Sequence, residues 1–478
     1  MIINYTKNIL KHSLIYGSGE ILIKIVAFLL IPLYTRYLNP DAYGLLQILI
    51  ITASLVTIFL QFGIGSALFK SVIYHPEGNK KEIYSTAFFF ILISSIVFLS
   101  IVYMNTKFFS RLLFGGEEQS RAFQILSLTI FFRNLSQITL AKLRIENRSL
   151  TFSILLLLQF TLKIGLNIYF IVFAKLGVIG ILYADLVTSG LFSIIFICFL
   201  ASDLQWAFSL SELKDMLEFG LPIVPGNLAM FALNMSNRYF IKHFAGMEAV
   251  GLFSLAYQFS MIMYLTIFAF QRAWASLMFE IANEEDSKKI FAKNFTYFFL
   301  ITGLIALGVS TFAPELIDLF ADPKYHQASK IVPFLTLSNF FYGIFFYTAI
   351  GINIKKKTYF QTLSVIIGAL FCIGLNYVLI PKYGMIGGAL ANLFSFMIMA
   401  FSEFYISNRL YPVPYSLNRI LPIGILFVLT YLISTFIHSS HFWIRFTFKA
   451  VLICISTFLA VSTIKAARDI IYKRMFKP

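Results

Sequence analysis

The chain has 478 residues, of which 59% are hydrophobic, 17% aromatic and 13% charged. Soluble globules carry about 45–50% apolar and about 25% charged residues, so a soluble fold of this length would leave much of its apolar excess facing water. This excludes a soluble enzyme, a disordered chain and a disulfide scaffold, and points to an all-α polytopic membrane protein.

A membrane crossing needs about 20 mostly apolar residues. Fourteen such runs follow one another, at roughly 12–37, 44–70, 82–105, 121–143, 150–174, 177–200, 214–240, 248–278, 290–315, 330–353, 358–380, 384–407, 417–437 and 442–465. The first is too long for a cleaved signal peptide. The loops are too short to hold a soluble domain.

The net charge of +16 would raise the question of nucleic acid in a soluble chain. Here Lys and Arg mark the cytoplasmic loops. Counted by alternate loops, 22 fall on one side with both termini, Lys142, Arg144 and Arg148 after span 4 among them, 12 on the other, and four lie well inside spans. Both termini are therefore expected in the cytoplasm, and no nucleic-acid partner is expected. The three cysteines sit in apolar runs, and the six histidines show no metal-ligand spacing. No metal or cofactor is expected.

Two echoes recur at one offset. Ala42-Tyr43-Gly44-Leu45-Leu46 returns as Ala249-Val250-Gly251-Leu252-Phe253, and Gly177-Val178-Ile179-Gly180 returns as Gly384-Met385-Ile386-Gly387, each pair 207 residues apart. The chain thus reads as two six-helix halves, 1–207 and 208–414, followed by two further helices and a basic tail at 415–478. An even span number makes the halves parallel repeats about an axis along the membrane normal, an arrangement of transporters that hold substrate between rocking halves.

Ionisable residues inside spans are costly and mark functional sites. The cations are Lys24 in span 1, Arg133 in span 4, Lys163 in span 5 and Arg272 in span 8; the acids are Glu20, Asp185 and Glu403. Four cations against three acids describe a cavity suited to an anion such as a pyrophosphate headgroup. Other readings stand beside this one. Glu20 and Lys24, at i and i+4, can neutralise each other. Arg133 and Lys163 can pair with backbone carbonyls or with Asp185, and Asp185 can serve as a coupling-ion site. Arg272 and Glu403 can snorkel to the cytoplasmic interface. Asn234 and Asn237 offer either substrate hydrogen bonds or polar links between helices. Pro32, Pro222 and Pro225 fall in equivalent helices of the two halves, where they bend the backbone as a static kink or as a gate.

Several segments support a family resemblance. They are Ile31-Pro32-Leu33-Tyr34-Thr35-Arg36-Tyr37-Leu38 with Asn39-Pro40-Asp41-Ala42-Tyr43-Gly44, Phe219-Gly220-Leu221-Pro222-Ile223-Val224-Pro225-Gly226-Asn227, and Ile380-Pro381-Lys382-Tyr383-Gly384-Met385-Ile386-Gly387. With these the chain resembles the polysaccharide and O-antigen flippases (Wzx-type) of the multidrug/oligosaccharidyl-lipid/polysaccharide exporter superfamily. Asn237-Arg238 stands where that family usually has Asp-Arg. The resemblance implies movement of undecaprenyl-pyrophosphate-linked sugar units across the bacterial cytoplasmic membrane by alternating access, coupled to a proton or sodium gradient. It implies a positively charged lumen that includes Lys24 and Arg272. It implies as partners the lipid-linked oligosaccharide, membrane lipids, a polysaccharide polymerase and other membrane proteins of the same biosynthesis. Export of lipid II or of drugs by the same superfamily is the alternative, and a membrane glycosyltransferase or polymerase a more distant one. No ATP-binding loop occurs.

Overall fold

A computed structural model describes residues 28–74, 79–437 and 442–475, and among them the protein is helical without strands. Most of span 1, with Glu20 and Lys24, lies outside the described residues. Its end is α1 (Ile31–Tyr37). Span 2 is α2 (Pro40–Gln61) followed by α3 (Ile64–Tyr74), interrupted at Phe62 and Gly63, which both take left-handed backbone. The motif before α2 has a plain physical role. Asn39 accepts the Ala42 amide at 2.8 Å as an N-cap, Pro40 occupies the first turn, and Asp41 faces the positive end of the helix dipole.

Next come α4 (Lys80–Met104), the short α5 (Thr106–Phe114), α6 (Ser120–Ile145), α7 (Ser149–Ile168) with a π-helical turn at Tyr169–Phe173, and α8 (Gly177–Ala201). After α9 (Leu210–Gly220) and a 3₁₀ turn, α10 (Val224–Met235) leads into α11 (Asn237–Ile281). The remaining helices are α12 (Ser287–Thr311), α13 (Ala313–Phe320), α14 (Val332–Thr348), α15 (Ile350–Ile354), α16 (Tyr359–Leu410), α17 (Leu417–Thr435) and α18 (Phe442–Met475).

Ten described stretches are long and apolar enough to cross a membrane, two of them joined across kinks. Gly246 breaks α11 and Gly384 breaks α16, so each of these stretches contains two expected spans. Span 4 is α6, 26 residues long. It is absent from the ten because Arg121, Arg133, Asn134, Lys142 and Arg144 lower its hydropathy. Together these match thirteen of the fourteen expected crossings; span 1 lies mostly outside the described residues.

The repeated G-x-x-G has the same role twice. Gly177 and Gly384 take φ of +54° and +56°, open to residues without a Cβ. Three residues on, a Cβ on Gly180 would come within 2.9 Å of Phe170 Cβ, and one on Gly387 within 2.3 Å of the Leu379 carbonyl oxygen. The first glycine turns the chain and the second lets the new helix lie against the old one.

The chain forms two compact units, one ending at Phe231 and the other starting at Ala232. In the first, α6 packs between α4 and α8. Ile64 and Leu68 of α3, Ile83 and Ile91 of α4, Ile138 of α6 and Met216 of α9 share one core. In the second, aromatic residues dominate. Trp274 stacks on Tyr347 at 4.4 Å between centroids, and the Tyr347 hydroxyl donates to the Phe291 carbonyl at 2.9 Å.

Candidate functional site

Three neighbouring helices of the first unit bring three of the sequence-designated residues together. Arg133 is midway along α6, Lys163 is in the last third of α7, and Asp185 is two turns into α8. The Arg133 Nη2 lies 3.1 Å from Asp185 Oδ2, and Lys163 Nζ pairs with Asp185 Oδ1. Ser189, one turn after Asp185, accepts from Arg133 Nε at 3.4 Å. One carboxylate therefore holds two cations, which lowers the cost of keeping charge inside apolar helices. The group keeps one positive charge in excess. The acid is the deepest member: its side chain is 10% exposed, against 27% for Lys163 and 42% for Arg133. One turn from Lys163, the Asn167 amide donates to the Tyr34 hydroxyl of α1 at 3.1 Å.

Arg272 belongs to the second unit. It is exposed on α11, with its guanidinium 4.9 Å from the Phe268 ring centroid. Glu20 and Lys24 are outside the described residues. The prolines mark helix interruptions. Pro32 is in the first turn of α1, just after a turn at Leu30; Pro222 is in the 3₁₀ turn Leu221–Ile223; Pro225 is in the first turn of α10.

Asn234 and Asn237 act within the protein. The Asn237 amide nitrogen donates to the Gly388 carbonyl at 3.0 Å, and its oxygen accepts from Asn376 at 3.0 Å and Cys372 at 3.2 Å. Asn234 Oδ1 accepts the Tyr257 hydroxyl at 3.2 Å. Arg238 is buried, donates to Ser254 at 3.0 Å and faces the Tyr257 ring at 4.6 Å. The position that resembles the family's acid is thus an amide whose donor and acceptor are both engaged.

Glu403 does not snorkel. It is fully buried, and neither carboxylate oxygen has a hydrogen-bond partner among the described residues; Ser364 and Gln361 lie beside it. One turn on, α16 packs closely on α15: Gly351 approaches the Ser407 backbone and donates to the Ser407 hydroxyl at 2.8 Å.

Sequence reasoning missed two ion-pair groups. Lys449 of α18 donates to both Glu315 oxygens of α13, at 2.8 and 2.9 Å, and to the Thr311 carbonyl at 3.0 Å, all buried. Arg445 lies 3.6 Å from Asp318, which also meets His326 Nδ1 at 2.7 Å. Lys142, expected among loop cations, is buried against the Phe199 carbonyl and Asp203.

The sequence profile of a family described as polysaccharide biosynthesis protein matches residues 33–279. The membrane protein MJ1068 of Methanocaldococcus jannaschii is 25% identical over 213 residues, covering 42% of this chain and 41% of that protein. Among solved structures, the lipid II flippase MurJ in an inward closed conformation superposes with a TM-score of 0.71 at 17% identity, covering 96% of this chain and all of that one. An inward-facing multidrug resistance MATE transporter of the MOP superfamily superposes at 0.68 with 16% identity, over 84% of this chain and 98% of its own. At these identities the likeness shows a shared fold.

Proposed function

The chain belongs to the polysaccharide biosynthesis protein family, and from that premise we propose that it is a flippase for an undecaprenyl-pyrophosphate-linked oligosaccharide, such as an O-antigen, capsule or exopolysaccharide repeat unit. It moves this substrate from the cytoplasmic to the outer leaflet of the bacterial cytoplasmic membrane by alternating access. Both termini face the cytoplasm, and the two six-helix halves rock while the last two helices accompany the second half. A proton or sodium gradient drives the cycle, and a polysaccharide polymerase takes the product.

One observation carries this reading: Arg133 and Lys163 converge on a single acid and keep positive charge in excess inside apolar helices. Guanidinium and ammonium groups in a water-poor setting bind phosphate strongly, Arg in a bidentate manner. The pyrophosphate provides the charged handle, and binding asks little of the sugar's identity. An exporter of cationic drugs would place acids in excess instead.

The test is a flipping assay in proteoliposomes with a pyrophosphate-linked oligosaccharide and, in parallel, lipid II. Arg133→Ala and Lys163→Ala are each expected to slow transfer about tenfold or more, the loss of one charge-assisted contact. Wild-type rates in both variants would refute the charge argument. Transport of lipid II in preference to the oligosaccharide lipid would assign the chain to cell-wall precursor export.

A further inference from the structure

The arrangement of Arg133, Lys163 and Asp185 shows more than an anion site. Asp185 is the most enclosed of the three, and the two cations are the more exposed. Each cation already holds an anion: one carboxylate oxygen faces Arg133 and the other faces Lys163. A second anion cannot gain the full strength of either cation while the carboxylate remains between them. We infer that Asp185 is a resident counter-ion that the substrate's phosphates displace, so that binding is an exchange of anions at two fixed cations. This inference rests on the proposed function and deepens it.

Three features of the site suit an exchange. Arg133 has a second tether, its Nε on Ser189 at 3.4 Å, so the guanidinium keeps its place when the carboxylate lets go. A diphosphate offers oxygens on two phosphorus atoms and can replace both carboxylate contacts at once, whereas a small monovalent anion replaces one and leaves the other cation uncompensated. Asp185 also bears the cost of the empty state, since without it two cations would sit in apolar helices unpaired. The acid thus weakens binding and makes it reversible. It selects diphosphate headgroups over single phosphates, and the shared chemistry is that of any organic or inorganic pyrophosphate.

The experiment measures binding to purified full-length protein of farnesyl pyrophosphate, farnesyl monophosphate and inorganic pyrophosphate, with thermal unfolding recorded for each variant. If Asp185 is a counter-ion, affinity follows the charge of the cluster. Asp185→Asn binds farnesyl pyrophosphate about tenfold tighter than wild type while unfolding at lower temperature. Lys163→Met binds more weakly. The double variant Lys163→Met/Asp185→Asn, which restores the wild-type charge, returns close to wild-type affinity, and it tests the order even if Asp185→Asn fails to fold. Asp185→Asn also loses discrimination against the monophosphate. Weaker or unchanged binding in Asp185→Asn, or a double variant no tighter than Lys163→Met, overturns the counter-ion role while leaving the anion site intact. Unchanged binding in both Lys163→Met and Arg133→Ala would overturn the anion site itself. Equal affinity for inorganic and farnesyl pyrophosphate would place the free anion, not a lipid headgroup, as the natural occupant, and would count against the exchange as a transport step.

Discussion

Lys142 shows how one side chain can change its role on folding. By sequence it joins Arg144 and Arg148 as loop cations that report topology. In the fold its ammonium is enclosed, donating to the Phe199 carbonyl at 3.1 Å and to Asp203, and so ties α6 to the turn after α8. Burial pushes the Asp203 carboxyl up, but the hydrogen bond and charge of Lys142 outweigh this and hold it below its ordinary value. A carboxyl depressed in the folded state adds stability above its unfolded pKa, about 3.9, and loses it as pH falls through the lower folded value. Asp203→Asn is expected to cost about 1 kcal/mol at neutral pH, because water screens a partly exposed pair. Thermal unfolding in detergent across a pH series should show the wild-type advantage shrink below about pH 4. An advantage constant down to pH 2 would refute the pair's role. Little of this was legible in the sequence, since Lys142 and Asp203 are 61 residues apart and nothing in hydropathy distinguishes an enclosed lysine from a topogenic one. For Glu403, position near a span end suggested snorkelling, whereas in the fold it is fully buried beside Ser364 and Gln361.

Among the helices, the pairing of α13 with α18 was partly readable. Glu315 and Asp318 are spaced i, i+3 and Arg445 and Lys449 i, i+4, so each pair faces one side of its helix. What spacing cannot reveal is that two helices 134 residues apart in sequence meet. Lys449 is enclosed with Glu315, so removing one partner strands a buried charge. Lys449→Met is expected to destabilise the protein by about 3–5 kcal/mol, and Lys449→Met/Glu315→Gln to recover most of that. Thermal unfolding with α17 and α18 intact decides the point; a double variant as unstable as the single would show that packing, not charge, holds α18. The G-x-x-G pair was the clearest local signal, because a left-handed turn and a close helix approach both exclude side chains. The prolines were legible as helix interruptions, and the breaks at Gly246 and Gly384 fall where the apolar runs pause, between spans 7 and 8 and between spans 11 and 12.

At the scale of the molecule, the membrane class and the helical architecture follow from composition and hydropathy, which depend on local sequence alone. Span 4 was read as an apolar run although its charges lower its hydropathy. The site was readable as a set of residue types, with Asp185 offered as one partner of Arg133 and Lys163; that it holds both, rather than backbone carbonyls holding them, depends on how three helices pack. The orientation is open to a direct test. In a cysteine-free background, single cysteines at Lys81, Lys288 and Lys356 are expected to react with a membrane-impermeant thiol reagent only after the cytoplasmic face is opened, and cysteines at Glu118 and Gln327 without opening. The reverse pattern would invert the proposed topology and the direction of transport.

The tight turns at Gly177 and Gly384 also affect how the protein can move. A helix pair joined by three residues or fewer and in contact from its first turn has little slack. Residues 149–201 and 359–410 must each travel as a single lever, so a conformational change has to be taken up elsewhere. The interruption at Phe62 and Gly63 and the proline-bearing turn at 221–225 are where the backbone can yield. They are adjacent: a Cβ on Gly63 would come within 2.3 Å of the Gly220 carbonyl oxygen. That contact makes two separate breaks in the chain one mechanical joint.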